Sequence, residues 1–286
     1  MYGKEESNEA KELYQKARSY EADADLYMAV KLYRKVIRLA PDWELPHFRM
    51  AVLYKNRKEW KPALHYSRVV TNLAPEHEQA WKICGLAATA LQNTALANDA
   101  WNKLGKPVGE EPQPVAVLLQ KGRQQEVVWG RPLDPVRVRL ISIPQPAFRR
   151  RFNDIVLIDP FLHGYRTVGE KRLDVYEEVA LLERSRFQTF CFWVNTDKLQ
   201  YIDLLAGLCR ESGLGFDNWS MASRLLLNRD RQGLLEYPGN PQVSAADQWL
   251  VAVAARQKVQ LRKVLKEWQS LTSRTHSQPL RVLGWY

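Results

Sequence analysis

The sequence predicts two architectures in one chain: an all-α solenoid of three helix pairs, then an α+β domain with an antiparallel sheet. Three observations carry this expectation. Small, aromatic and proline residues recur every 34 positions through the first third of the chain. Beyond about residue 126 the apolar spacing changes from helical to alternating. Within that second part the strand-like runs come first and the helix-like runs follow, the order of an α+β domain.

The repetition is plainest in "IRLAPDWELPHF" and "TNLAPEHEQAWK", whose prolines are Pro41 and Pro75. Ala17, Ala51 and Gly85 form one small-residue series at the same interval, and Ala29, Ala63 and Ala97 form another. Tyr33, Ser67 and Trp101 follow, then Val36, Val70 and Leu104. Helix packing explains the pattern. A small residue lets two helices approach, an aromatic fills the space beside it, and proline ends the second helix of each pair.

This pattern resembles the tetratricopeptide repeat (TPR) over about residues 8–106. The resemblance implies a curved array whose concave face is lined by the first helix of each pair. Groove residues on that basis are Tyr14 and Arg18, then Phe48, Arg49, Val52 and Lys55, then Lys82 and Leu86. Basic side chains among aromatic and aliphatic ones suit a peptide or partner protein carrying acidic groups. The match has departures: Lys16 replaces a leucine, His47 and Ser67 stand at aromatic positions, and Ala88 replaces a tyrosine. One subgroup of the family holds chaperone C-termini with a five-residue carboxylate clamp. Tyr14, Arg18, Arg49, Gln79 and Ile83 stand at the matching positions, without the clamp's lysines and asparagines, so that role is not expected.

Size and charge bound the rest. The chain has 286 residues and a formal net charge of +10. Residues 1–105 carry 16 Lys and Arg against 13 Asp and Glu, and residues 106–286 carry 26 against 19. The surplus favours acidic partners, nucleic acid among them. No apolar run reaches the roughly 18 residues of a membrane span. The start, "MYGKEESNEAKELYQ", lacks the basic-then-apolar order of a signal peptide. Cys84, Cys191 and Cys209 are odd in number and widely spaced, as reduced thiols would be. A cytoplasmic protein without a membrane anchor is expected.

The expected boundaries are 1–106 for the helical array, 107–125 for a linker and 126–286 for the α+β domain. "GKPVGEEPQPV" has linker composition, and "VAVLLQKGRQQ" reads as a helical turn or two. "VRVRLISIP" alternates as a half-buried strand should; "NDIVLID", "LDVYEEVALLE" and "RFQTFCFWVN" read as further strands. "KLQYIDLLAGLCRESG" has helical spacing, and "DNWSMASRLLLN" reads as a short helix. "SAADQWLVAVAARQKVQLRKVLKEWQSL" reads as one long helix capped by Ser244, with Asp247 in its first turn. "PLRVLGWY" would be a last strand.

The sequence offers little catalytic chemistry. Asp154, Asp159 and His163 are the best candidate cluster, but their Pro and Gly neighbours suggest turn-forming aspartates. Phosphate-cradling glycine loops, G-x-S-x-G and HExxH are all missing from it. Cys191 sits in an apolar strand and reads as core. An enzyme is therefore not favoured, and no catalytic residue, metal site or cofactor is expected. The sharpest basic patch is "FRRRF", with Arg149, Arg150 and Arg151 as candidate nucleic-acid contacts, although a solvated hairpin loop is the simpler reading of it. Arg256, Lys258, Arg262, Lys263 and Lys266 read as one polar helix face.

Overall fold

The computed structural model describes residues 7–105, 113–168, 171–221, 228–229, 235–237, 248–276 and 281–282. The chain divides into two compact units, Met1–Glu110 and Glu111–Tyr286.

The first unit is built from α1 (Asn8–Ala22), α2 (Leu26–Leu39), α3 (Glu44–Asn56), α4 (Trp60–Leu73), α5 (Glu78–Ala90) and α6 (Thr94–Lys103). Each helix packs on the next, and α3 also packs on α5. Ser7, Asp25 and Asn93 cap α1, α2 and α6, their side chains accepting from the backbone N–H of Ala10, Met28 and Leu96.

The 34-residue period governs the backbone as well as the packing. The turn inside each pair contains a left-handed residue, at Ala24, Lys58 and Gln92, with φ of 59°, 59° and 58°. Ala17, Ala51 and Gly85 are all buried. Near each proline a side chain closes the turn. The carbonyl oxygen of Pro41 lies 2.9 Å from His47 Nε2, and the Trp81 indole N–H donates to Pro75 at 2.7 Å. His47 thus does the work of the aromatic N–H it replaces, and burial holds its pKa below the usual imidazole value. Ser67, at another aromatic position, is fully buried and donates to the Leu64 carbonyl at 3.1 Å.

The second unit begins with β1 (Val115–Lys121), β2 (Gln124–Pro132), β3 (Arg137–Leu140), β4 (Ile155–Ile158), β5 (Gly164–Val168) and β6 (Lys171–Glu183). Strands β1, β2, β3, β4 and β6 are neighbours in that order. Ala116–Leu118 of β1 then pairs in parallel with Val175–Glu177 of β6, which closes the five into a barrel. Ala116, Leu118, Val127 and Val175 form a core cluster of this part.

The chain continues through β7 (Gln188–Asn195), α7 (Leu199–Glu211), β8 (Gly215–Asn218), β9 (Asn228–Arg229), β10 (Leu235–Tyr237), β11 (Gln248–Ala255), α8 (Lys258–Thr272), β12 (Thr275–His276) and β13 (Arg281–Val282). Strands β9 and β10 extend the first sheet through a parallel pairing of β10 with β5. The others form a second, antiparallel sheet in the order β12-β7-β11-β8, with β13 also on β7. Within this sheet the order β7-α7-β8-β11-α8-β12 is the βαββαβ of a ferredoxin-like split unit. Phe190, Phe192 and Val194 of β7, with Trp249, Val251 and Val253 of β11, join Leu205, Leu265 and Trp268 in its core.

The α+β class holds, with five differences of detail. The first sheet is mixed, because strands β2 to β5 supply the crossover that parallel pairing of β1 with β6 needs. The stretch "VAVLLQ" is β1 instead of a helical turn, so sheet structure starts inside the expected 107–125 linker. The expected long helix is a strand, β11, followed by α8. Its helical start is a capping box between Gln257 and Gln260, while Ser244 and Asp247 lie outside the described residues. "DNWSMASRLLLN" begins in β8 and a turn, and its remainder to Leu227 also falls outside them. Cys191 is half-buried, because strand alternation sends Phe190 and Phe192 to the core and Cys191 to the other face. Among the described residues no helix is long and apolar enough to cross a membrane.

Candidate functional site

The expected groove residues sit on the first helices, as their spacing requires, but several are already engaged. Arg49 reaches back from α3 to Glu21 of α1, forming a fork of which the Nε–Oε2 bond is 3.1 Å long. Glu21 also accepts from the Tyr33 hydroxyl at 2.7 Å. Burial first, and then Glu21, raises the Tyr33 pKa well above the usual phenol value. Lys82 lies 2.8 Å from Glu78. Tyr14 is buried between Tyr33 and Trp43, with ring centroids at 5.8 and 4.8 Å. Leu86 is fully buried, so it cannot line an open groove. Phe48 packs on His77 at 4.4 Å; Val52 and Lys55 are half-buried, and Arg18 is exposed. These positions hold the helix pairs together as much as they offer a surface.

A better-defined groove lies on the second helices. It encloses about 610 Å³ between α2 and α4, with Arg57 at the end of α3 contributing. Leu26, Val30 and Ile37 give it an apolar floor, and Tyr27 and Tyr66 flank it. Lys31, Arg34, Arg38 and Arg57 supply four cations, and among the described residues no carboxylate lines it. Tyr27, Lys31, Arg34 and Arg38 lie at i, i+4, i+7 and i+11, one stripe along α2. Tyr27, at the N-terminal end of this stripe, is 77% exposed. Arg34 donates to the Tyr54 hydroxyl at 3.0 Å, while the Tyr54 and Tyr66 rings stack at 5.7 Å and 7°. That contact fixes one guanidinium at the rim of the groove. Arg57 pairs with Glu59 at 2.7 Å. The α2 stripe is legible from its spacing alone, although the family resemblance points to the first helices.

In the second unit, "FRRRF" forms a tied loop between β3 and β4. Arg150 pairs with Glu178 at 2.6 Å, and the Arg151 backbone N–H donates to Asp154 at 2.8 Å. The Arg149 carbonyl accepts from Arg184 at 2.8 Å. Asp154 is wholly buried and also accepts from the Ser185 N–H at 2.7 Å and from Arg184 at 3.0 Å. Burial raises its pKa, and these donors oppose the shift. Asp159 accepts from the Phe161 N–H at 3.1 Å, and His163 Nδ1 lies 3.8 Å from Glu177. The candidate cluster is therefore split between two turns, each aspartate fixing its own.

No protein-family model and no curated protein matches this chain. Among solved structures it is similar to the TPR domain of Sgt2 from Aspergillus fumigatus, at 22% identity and a TM-score of 0.31. That match covers 34% of this chain and 64% of the other, so it spans less than two thirds of the Sgt2 structure. The TPR2B domain of yeast Sti1, solved in complex with pHsp70, is similar at 21% identity and a TM-score of 0.31, covering 34% of this chain and 78% of that one. A hypothetical protein from Neisseria gonorrhoeae is similar at 14% identity and a TM-score of 0.26, over 59% of this chain and 95% of that one. Three helix pairs at a constant 34-residue spacing, with repeated small crossings, left-handed turns and two proline-closed ends, give residues 8–103 the fold of a tetratricopeptide array.

Proposed function

We propose that the chain is a partner-binding protein that docks an acidic segment of another protein along the α2–α4 groove. The observation that carries this is the lining: four cations and two tyrosines over an apolar floor, with no carboxylate among them. Arginine and tyrosine are the residues that dominate interface energies, and the apolar floor supplies the contacts that charge alone does not. The Sti1 domain was solved with pHsp70; for the present chain the partner class rests on its own groove. The proposed setting is the cytoplasm, where the three cysteines, none of them in a disulfide, would stay reduced.

The test titrates the full chain with fluorescent Asp- and Glu-rich peptides that contain an aromatic anchor. Exposed ion pairs contribute about 0–1 kcal/mol each. Reversing two charges, Lys31→Glu with Arg38→Glu, should therefore weaken binding about tenfold. Arg18→Glu with Lys55→Glu probes the concave face and should change little. Arg49→Glu is avoided there, because it would set a carboxylate against Glu21. Equal binding by wild type and the Lys31/Arg38 variant would refute the groove assignment.

A further inference from the structure

The second unit holds a pocket that the partner-binding reading does not use. It lies at the seam where the barrel meets the second sheet, encloses about 330 Å³, and is rimmed by Arg139, Arg184, Arg186 and Arg256. Among the described residues Glu183 is the one lining carboxylate. Arg184 is spoken for by Asp154, at 3.0 Å. Arg139, Arg186 and Arg256 are exposed and form no ion pair among the described residues. Arg139 also stands directly across the β2–β3 ladder from Arg131, and like charges opposite one another destabilise a sheet unless an anion joins them.

The walls are shaped to hold these charges in place. The Arg256 guanidinium lies over the Phe187 ring, 5.3 Å from its centroid, and Phe187 meets Phe152 edge-on at 5.2 Å. Ser185 fixes the connection between β6 and β7 by donating to the Phe152 carbonyl at 2.6 Å. Asn153, with φ of 67°, also lines the pocket and can offer its amide. Planar guanidinium forks match phosphate oxygens two at a time. The volume is near the lower end of the roughly 300–1,000 Å³ of small-ligand pockets.

We propose that this seam pocket binds a phosphate group, with Arg139, Arg186 and Arg256 as its contacts. The group comes from a phosphate ester, either a small nucleotide or the backbone of a single-stranded nucleic acid. The experiment titrates the full chain by calorimetry with inorganic phosphate, adenosine monophosphate and a 12-nucleotide single strand, at 50 and 200 mM salt. Wild type should bind at least one of them. Arg186→Gln with Arg256→Gln should weaken that binding tenfold or more, and so should Arg139→Gln alone to a lesser degree. Lys31→Glu with Arg38→Glu, in the other unit, should leave it unchanged, which separates this site from the groove on the helices. If the single strand binds best, the slope of log affinity against log salt should shrink by about 1.4 in the double variant, at about 0.7 per lost phosphate contact. If adenosine monophosphate binds as well as the single strand, the ligand is the small ester. Failure of all three to bind, or equal binding by well-folded variants and wild type, overturns the proposal.

Discussion

Gly85 gives the most direct test of the repeat packing. A Cβ placed there would lie 2.5, 2.6 and 2.8 Å from Cζ2, Cη2 and Cε2 of Trp101. Carbon atoms make their best contact at about 3.5–4.0 Å, so the ring has to move by close to an ångström. Trp101 is 1% exposed and has little room to do so. Two effects oppose each other in Gly85→Ala. Alanine gains about 1 kcal/mol of helix propensity over glycine, and overpacking costs about 1–3 kcal/mol. The substitution should therefore destabilise by about 1 kcal/mol net. In a Trp101→Leu background the obstructing ring is gone, and the same Gly85→Ala should stabilise by up to about 1 kcal/mol. Urea titrations of the full chain, followed by far-ultraviolet circular dichroism, give the four midpoints of this cycle. If Gly85→Ala raises the midpoint equally in both backgrounds, the two residues do not meet and the packing argument fails.

Two further outcomes follow from the same unit and its neighbour. Ala24→Gly should stabilise by about 0.5–1 kcal/mol in the same titration, because Ala24 holds a left-handed φ of 59° that glycine adopts freely; Ala29→Gly, in a buried helix interior, should destabilise by about 1 kcal/mol or more. Burial pushes the Cys84 thiol up to about 11 and the Cys209 thiol up to about 12. Their stability contribution is thus complete below the ordinary thiol value near 8.5 and is lost as pH rises through the folded values. Iodoacetamide at pH 8 should leave both unmodified in the native chain, with modification appearing only in urea; native-state labelling of either, read by mass spectrometry, would contradict their burial.

What was legible in the sequence depended on how many faces a segment buries. The helix pairs each bury one stripe and repeat it, so Ala17, Ala51 and Gly85 announced the crossings before any coordinates. Strands with one wet face, such as β3 in "VRVRL", also declared their period. Strands β1 and β11 did not, because Ala116–Leu119 and Val251–Ala255 are buried throughout and alternate nothing. In "QWLVAVAA" the alanines at Ala252 and Ala254 pack beside Ile143 and Phe187, yet in a linear reading they resemble helix formers. The expected binding residues suffered from a different blindness. Spacing put Arg49 and Lys82 on the correct helices, and Glu78, four residues before Lys82 on the same helix, was legible as its partner; Glu21, the partner of Arg49, became evident only with α1 and α3 side by side. The seam pocket draws on β3, on the β6–β7 connection and on the end of β11, more than a hundred residues apart, and no local pattern could assemble it.

The route of the chain through its second unit has a consequence for how that unit comes apart. After β6 the chain leaves the barrel, lays down β7, α7 and β8, returns to add β9 and β10 beside β5, and then goes back to insert β11 between β7 and β8. The Ile143 N–H donates to Asp217 at 3.2 Å, and the Trp219 indole donates to the Ile143 carbonyl at 3.1 Å, pinning the two sheets where they cross. A single cut after β6 leaves the five barrel strands whole, but it parts the first sheet from β9 and β10, which follow β8 in the chain. Melting one sheet strips the other of strands or of a packing surface, so the pair should be lost in one cooperative step. During synthesis the five barrel strands are all present once β6 has been made, whereas their sheet gains β9 and β10 later and the second sheet waits for β11.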